Sequence, residues 1–454
     1  MLYFAIVIMV NIPVVQRAIG EKVSQALSEK LATKAYVGRV NLGFFNRIII
    51  DDVNIPDQSN HKMLKASRLS AKFSYLDLIK GHFSITSAQI FGLQANLYKR
   101  NATSKPNFQF VLDSLASKDT TQHTPLHLAI SSLIIRHGEV VWNQLDAPKK
   151  RTFDVKHLHL TGISSHIILN TLTDDSIALN VRTLAMKEAT GLELRSLSFK
   201  LHANRKGLVL NSFDATLPHS HLAIGNINAT YQFIRKKIEY ATLSYNGSID
   251  ESFITLSDLA SFYPALQKVK RKVVFYSDFS GTSSSLRVKS FQISVPRSGE
   301  KPLLKSPADI RLITNGSASG LPTAIRWAAT VSQLTVNGEG LKLLAGRIPD
   351  AIGRMGSIRF KGTVGGYRSD LALKGSLLSE AGNAHLGIGK HGDNFTGHME
   401  SAGFNLRQVL NDDKFGTIAT NIDIDGNLKR KLIKARGTVN RFDYNGYSYR
   451  NITL

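Results

Sequence analysis

The chain has 454 residues and no cysteine. That excludes disulfides, iron–sulfur clusters, thiolate zinc sites and a cysteine nucleophile, and it suits an oxidising envelope compartment without fixing one. Lys and Arg outnumber Asp and Glu by 57 to 34, a formal charge of +23, which draws anionic partners such as lipid headgroups or nucleic acid.

A chain of this length exceeds one compact domain of about 100–200 residues. It folds either as a large globule or as an array whose units pack on their neighbours. The basic clusters are short: Lys149-Lys150-Arg151, Arg235-Lys236-Lys237 and Lys429-Arg430-Lys431. They fall at turn-like or edge-like places. No zinc-finger spacing, basic helix or aromatic RNA-binding pattern goes with them, so nucleic acid is not an expected partner. Lysine on a strand edge blocks edge-to-edge association, and a membrane surface is the other use of such charge.

From the start, Leu2, Phe4, Ile6, Val7, Ile8 and Val10 lie in an uncharged run that Asn11 interrupts before Ile12 and Pro13. A spanning helix needs about 20 apolar residues. The run is too short, and it lacks the basic flank of a signal peptide. It reads as the end of a membrane helix whose beginning lies upstream, with a buried core helix as the other reading of a run this short. After Pro13 the apolar residues Val15, Ile19, Val23, Leu27 and Leu31 recur every four positions, which predicts an amphipathic helix over 13–34.

Beyond about Tyr36 the pattern has period two, the mark of strands with one apolar face. Phe83, Ile85, Ile90, Leu93, Ala95 and Leu97 alternate with polar residues, and Gly92 marks a bend. Leu371–Lys390 reads as a hairpin turning near Glu380–Asn383. Turn signals every 8–15 residues or so fit an all-β array. Short helices are predicted at Ser257–Val269, with Ser257 as N-cap before Pro264 disturbs it, at Gly338–Met355 and at Leu406–Asn411. No long crossover helix of a parallel sheet is evident.

Motifs for chemistry are weak. Gly387-Ile388-Gly389-Lys390-His391-Gly392 matches a dinucleotide fingerprint, but the residues that follow alternate and form no phosphate-binding helix. His157/His159 and His219/His221 share strand faces, yet no carboxylate stands in either segment to complete a metal site. The glycosylation-like triplets at Asn101, Asn246 and Asn394 arise by chance in an Asn- and Ser-rich chain. No catalytic residue, metal ligand or cofactor is expected, and the chain is not expected to be an enzyme.

The order of features resembles the TamB/AsmA-like family of envelope proteins, of the Bacteroidota type. Asn11-Ile12-Pro13 closes the apolar run, and the helix leads to Val37-Gly38-Arg39-Val40. Then come Phe44-Phe45-Asn46-Arg47-Ile48, Asp51-Asp52-Val53, Asp57, Leu64 and Ala66. Phe404, Leu406, Leu410 and Gly416 carry a later repeat. The resemblance implies a mainly β protein, a long curled sheet forming a groove, preceded by a membrane-anchor helix and an amphipathic helix. Its divisions are 1–12, 13–34 and 35–454. Single-pass attachment to the bacterial inner membrane, with the bulk in the periplasm, follows from it. So does a groove that conducts phospholipid between inner and outer membranes. The alternative is an assembly module for outer-membrane β-barrel or autotransporter proteins, pairing strands beside a barrel protein of the TamA type. The cut-short helix and the mid-strand end at Tyr447–Leu454 read as a fragment of a longer protein. Phe83, Ile85, Leu371 and Leu373 are the candidate groove-lining residues.

Overall fold

A computed structural model describes residue 9 and residues 12–43, 46–73, 85–115, 131–173, 175–234, 237–344 and 347–454. The chain is mainly β, 63% strand and 12% helix, with 24 strands among the described residues. It divides into two units: Met1–Asn226 with Thr255–Lys270, and Ile227–Ile254 with Arg271–Leu454.

The first unit opens with α1 (Pro13–Leu31). Pro13 stands at the first helical turn, where its missing N–H costs nothing. The helix ends where Ala32 turns left-handed, at φ 49°. Its buried residues are Gln16, Gly20 and Leu31, while Val15, Ile19, Val23 and Leu27 are half-buried. Small residues set the closest approach to the sheet. A Cβ on Gly20 would lie 2.6 Å from the Gly38 carbonyl, and Ser24 Oγ accepts the Val37 amide at 2.8 Å. Of the apolar stripe read from sequence only Leu31 is buried, and the rest flanks the contact.

The strands of this unit are β1 (Tyr36–Gly43), β2 (Arg47–Pro56), β3 (Lys62–Phe73), β4 (Ile85–Phe91) and β5 (Gln94–Lys99). After α2 (Gln109–Leu115) come β6 (Leu133–Gln144), β7 (His157–Thr173), β8 (Ser176–Glu188), β9 (Glu193–Leu194), β10 (Ser196–Asn204) and β11 (Gly207–Thr216). β1, β2 and β3 pair antiparallel in chain order. β4 and β5 both pair with β3, joined through Gly92 at φ +61°. β6 runs parallel to β4 and β5, a crossover that the sequence pattern did not reveal. β7, β8, β10 and β11 then continue antiparallel. In place of the helix predicted at Ser257–Val269 there are two 3-10 turns, Leu256–Leu259 and Pro264–Leu266. Asp258 is engaged by the His219 amide and the Ser220 hydroxyl at 2.8 and 2.7 Å, and Pro264 can only begin a new turn.

Two long strands, β12 (His221–Ile234) and β13 (Lys237–Thr255), lead into the second unit. Its strands are β14 (Lys272–Thr282), β15 (Ser285–Pro296), β16 (Ala308–Ser319), β17 (Arg326–Val336), β18 (Ile358–Tyr367) and β19 (Asp370–Ser379). β20 (Gly382–His391), β21 (Asn394–Asn405), β22 (Phe415–Asn427), β23 (Leu432–Tyr444) and β24 (Tyr447–Thr453) follow. From β14 to β24 each strand pairs antiparallel with the next. The expected hairpin is β19–β20, closed by Ser379 opposite Gly382. Three short helices lie on one side of this meander: α3 (Gly338–Leu344), α4 (Asp350–Gly353) and α5 (Leu406–Leu410). They occupy the segments where sequence predicted helical turns, and Asn405 caps α5 by accepting the Gln408 amide.

Candidate functional site

Registered pairing puts directly opposed residues on one face of a sheet. In the second unit this sorts the chemistry cleanly. One row runs Phe279, Val288, Gly316, Ala329, Val364, Leu373, Ile388, Gly397, Ile424 and Ala435. The row two residues toward the α3 side begins Phe291, Thr314, Val331, Gly362, Gly375, Leu386 and Met399. The next, still closer to α3, begins Phe275, Ile293, Leu312, Leu334, Phe360, Leu377 and Ala384. The opposite face carries rows such as Thr363, Lys374, Gly387, His398, Asp423 and Arg436. In β18 to β22 the apolar positions are mostly half-buried and the polar positions mostly exposed.

Glycines let aromatic rings lie flat on this face. A Cβ on Gly362 or Gly375 would stand 2.8 Å from the Phe360 ring, and one on Gly426 would stand 2.5 Å from the Phe395 ring. Among the described residues of this unit, buried apolar clusters form where the short helices fold over the sheet. Leu341 of α3 joins Val336 and Ile358, and Val409 of α5 joins Ala381, Ala384 and Phe404. Toward the opposite hairpin tips the face has no such cover, and Trp327, Leu371, Ile388 and Ile433 are exposed.

The first unit has a similar face. Leu42, Ile48, Ala71, Ala88, Leu133, Ile167, Val181 and Phe199 form one row across eight strands. Leu169, Leu179, Leu201 and Leu210 form another.

Leu371 and Leu373 both lie on the apolar face of β19. Ile85 opens β4, its backbone opposite Phe73. Phe83 lies outside the described residues, as do Leu2, Phe4, Ile6, Val7, Ile8 and Val10. Ile12 is exposed just before α1. No helix among the described residues is long and apolar enough to cross a membrane.

Three of the four paired histidines find carboxylates from elsewhere in the chain, which the sequence pattern missed. His159 Nε2 is 2.8 Å from Glu139, His219 Nδ1 is 3.0 Å from Asp258, and His221 Nε2 is 2.7 Å from Asp214. His157 Nδ1 meets Asn143 at 3.1 Å. Each imidazole meets one acid or amide. Among the described residues no group of three metal-ligating side chains forms. The glycine motif at Gly387–Gly392 ends β20 and turns into β21, so no helix N-terminus faces a phosphate there.

A polar hollow of about 940 Å³ lies at the foot of α1, lined by Lys30, Asp57, Tyr98, Lys99, Arg100, Lys105 and Asp113 among others. The Asp57 side chain is 3% exposed. It accepts the Tyr98 hydroxyl at 2.7 Å and the Ser59 and His61 amides at 2.9 Å each. Burial pushes its pKa up, but these hydrogen bonds outweigh burial and hold it below the ordinary carboxylate value. Asp57 thus clamps the turn between β2 and β3, and its lone pairs are already engaged.

No family model, no curated protein and no solved structure matches the chain.

Proposed function

We propose that the chain is an envelope lipid carrier whose apolar sheet faces hold the acyl chains of phospholipid. The observation that carries this reading is the second unit's apolar face, continuous across ten strands and open to solvent away from the short helices. Exposed apolar surface of this extent marks a place where something apolar docks. Each methylene taken out of water contributes about 0.8 kcal/mol. Rows of Leu, Ile, Val, Phe and Gly supply that without directional bonds, so a bound chain remains free to slide. The likeness to TamB/AsmA-like proteins supports the same reading, with the apolar run at 2–10 as the attachment to the inner membrane. The function is carriage, with no covalent step.

The test is lipid content. The full chain, purified with mild detergent and no added lipid, is extracted and its phospholipid measured by mass spectrometry. One or more phospholipids per chain is expected. The pair Leu373→Asp and Ile388→Asp, on directly opposed positions, should lower that load about tenfold or more with circular dichroism unchanged, since charge on an apolar lining opposes acyl burial. Lipid-free wild-type protein would overturn the reading.

A further inference from the structure

We infer that the open end of the second unit's apolar face takes the headgroup of an anionic phospholipid, on a basic rim built by Arg326, Arg368, Lys390 and the turn Lys429–Lys431. The inference rests on the lipid-carrying reading above and specifies which lipid and which end.

The last apolar row before the hairpin tips runs through Trp327, Gly366 and Leu371 to Lys390, Phe395 and Gly426. Lys390 is the charged member of that row, placed where an acyl chain on the face would meet its glycerol and phosphate. A hollow of about 530 Å³ is lined by Arg326, Trp327, Asp370, Leu371, Lys390 and Phe395 among others. Indole and ring surfaces beside a cation suit an amphiphile's junction of tail and head.

Several cations at the covered end are paired, while Lys301 and Lys305 there stand away from the apolar row. At the helix-covered end, Arg271 sits 2.9 Å from Asp309, Lys342 2.7 Å from Glu339 and Arg407 3.7 Å from Asp413. At the open end Arg326, Arg368 and Lys390 make no ion pair within 4.0 Å among the described residues, and Lys390 acts on Asp370 only through space, helping the Gly392 amide to lower its pKa. Arg326 and Arg368 both lie over the Tyr367 ring, at 5.1 and 5.2 Å. Lys390 Nζ reaches only the Ser369 carbonyl, at 3.3 Å. Asp370, the carboxylate nearest Arg368 in sequence, is held by His391 at 2.6 Å and by the Gly392 amide at 3.1 Å. A guanidinium stacked on a ring keeps its N–H fork for a phosphate. Arg326, Tyr367 and Asp370 form the register row just beyond Trp327, Gly366 and Leu371, so the open end sets apolar surface beside a rim in which three cations outnumber the one carboxylate of its hollow, which matches an anionic phospholipid and gives a zwitterionic one less.

The test is a competition. The full chain is incubated with mixed micelles of phosphatidylglycerol and phosphatidylcholine in equal amounts, re-isolated, and its lipid extracted. About fivefold or greater enrichment of phosphatidylglycerol is expected, as a few Lys or Arg near an anionic surface give. The triple variant Arg326→Glu, Arg368→Glu, Lys390→Glu should lose the enrichment and keep most of its total lipid. The Gln triple should fall between. Lys301→Glu with Lys305→Glu, in the turn at the covered end, should behave as wild type. Equal uptake of both lipids by the wild type, or enrichment that survives the rim variants, would overturn the inference and leave lipid carriage standing. Absence of any lipid would overturn both.

Discussion

The two ends of the second unit's sheet are built from the same strands and differ in what lies over them. On the α3 side, short helices fold onto the apolar face, and Val336, Ile358 and Phe404 fall to 5%, 7% and 4% exposure. On the hairpin-tip side, the same strands leave Trp327, Leu371, Ile388 and Ile433 at 37%, 43%, 48% and 71%. One end is a core and the other is a surface. An apolar row therefore tells a reader that something will cover it, and only the neighbouring segments tell whether that cover is the chain itself. Mutations should divide along the same line, with stability lost at the covered end and lipid lost at the open one.

The largest effect is expected at Phe404, which packs with Ala381, Ala384 and Val409. Phe404→Ala should cost about 3–5 kcal/mol in denaturant unfolding, the usual range for a buried Phe. Leu371→Ala should cost under about 1 kcal/mol, because much of that side chain is already in water. Similar losses at the two sites would erase the distinction between core and surface. Gly362→Val comes next. Its Cβ would meet the Lys374 carbonyl at 2.2 Å and the Phe360 ring at 2.8 Å, and overpacking of this kind costs about 1–3 kcal/mol. A variant as stable as wild type would show that the ring does not rest on the glycine.

The first unit sharpens the contrast, since buried polar groups help fix it. Tyr98→Phe removes the hydroxyl that Asp57 accepts and should cost about 1 kcal/mol. The same bond raises the Tyr98 pKa, so the variant should also remove a high-pKa tyrosine from an alkaline absorbance titration. The smallest effect is at the other end of the chain. The Arg441 guanidinium and then the Ser448 hydroxyl hold Asp443 down at about 2, against an ordinary 3.8. A depressed acid contributes stability that is complete above the unfolded value and is lost as pH falls through the folded one. Acid unfolding midpoints should therefore decline between about pH 4 and 2, and Arg441→Gln should flatten that decline. Identical profiles would show that the pair adds nothing.

Much of this was legible in the sequence. Period-two alternation gave the strands, and the Glu380–Asn383 turn gave β19–β20. The short helix predicted at Leu406–Asn411 is α5. Other features depend on distance in space. Gly20 and Ser24 look unremarkable in a stripe of Val, Ile and Leu, but they are where α1 touches β1 because small side chains permit backbone approach. The acids that meet His159 and His219 lie 20 and 39 residues away in the chain. The covered and open ends were not separable either, because Leu377 and Leu371 share one strand and one face. The basic turn at Lys429–Lys431 was visible, but its place beside exposed apolar residues was not.

The central claim, that one face of this sheet carries lipid, is tested most directly by a photoreactive residue placed alternately at 373 and 374. Leu373 sits between Val364 and Ile388 on the apolar face, and Lys374 sits between Thr363 and Gly387 on the polar one. Irradiation of the full chain in cells should give a phospholipid adduct at 373 and none at 374. A polypeptide adduct at 373, or equal lipid capture at both positions, would contradict it.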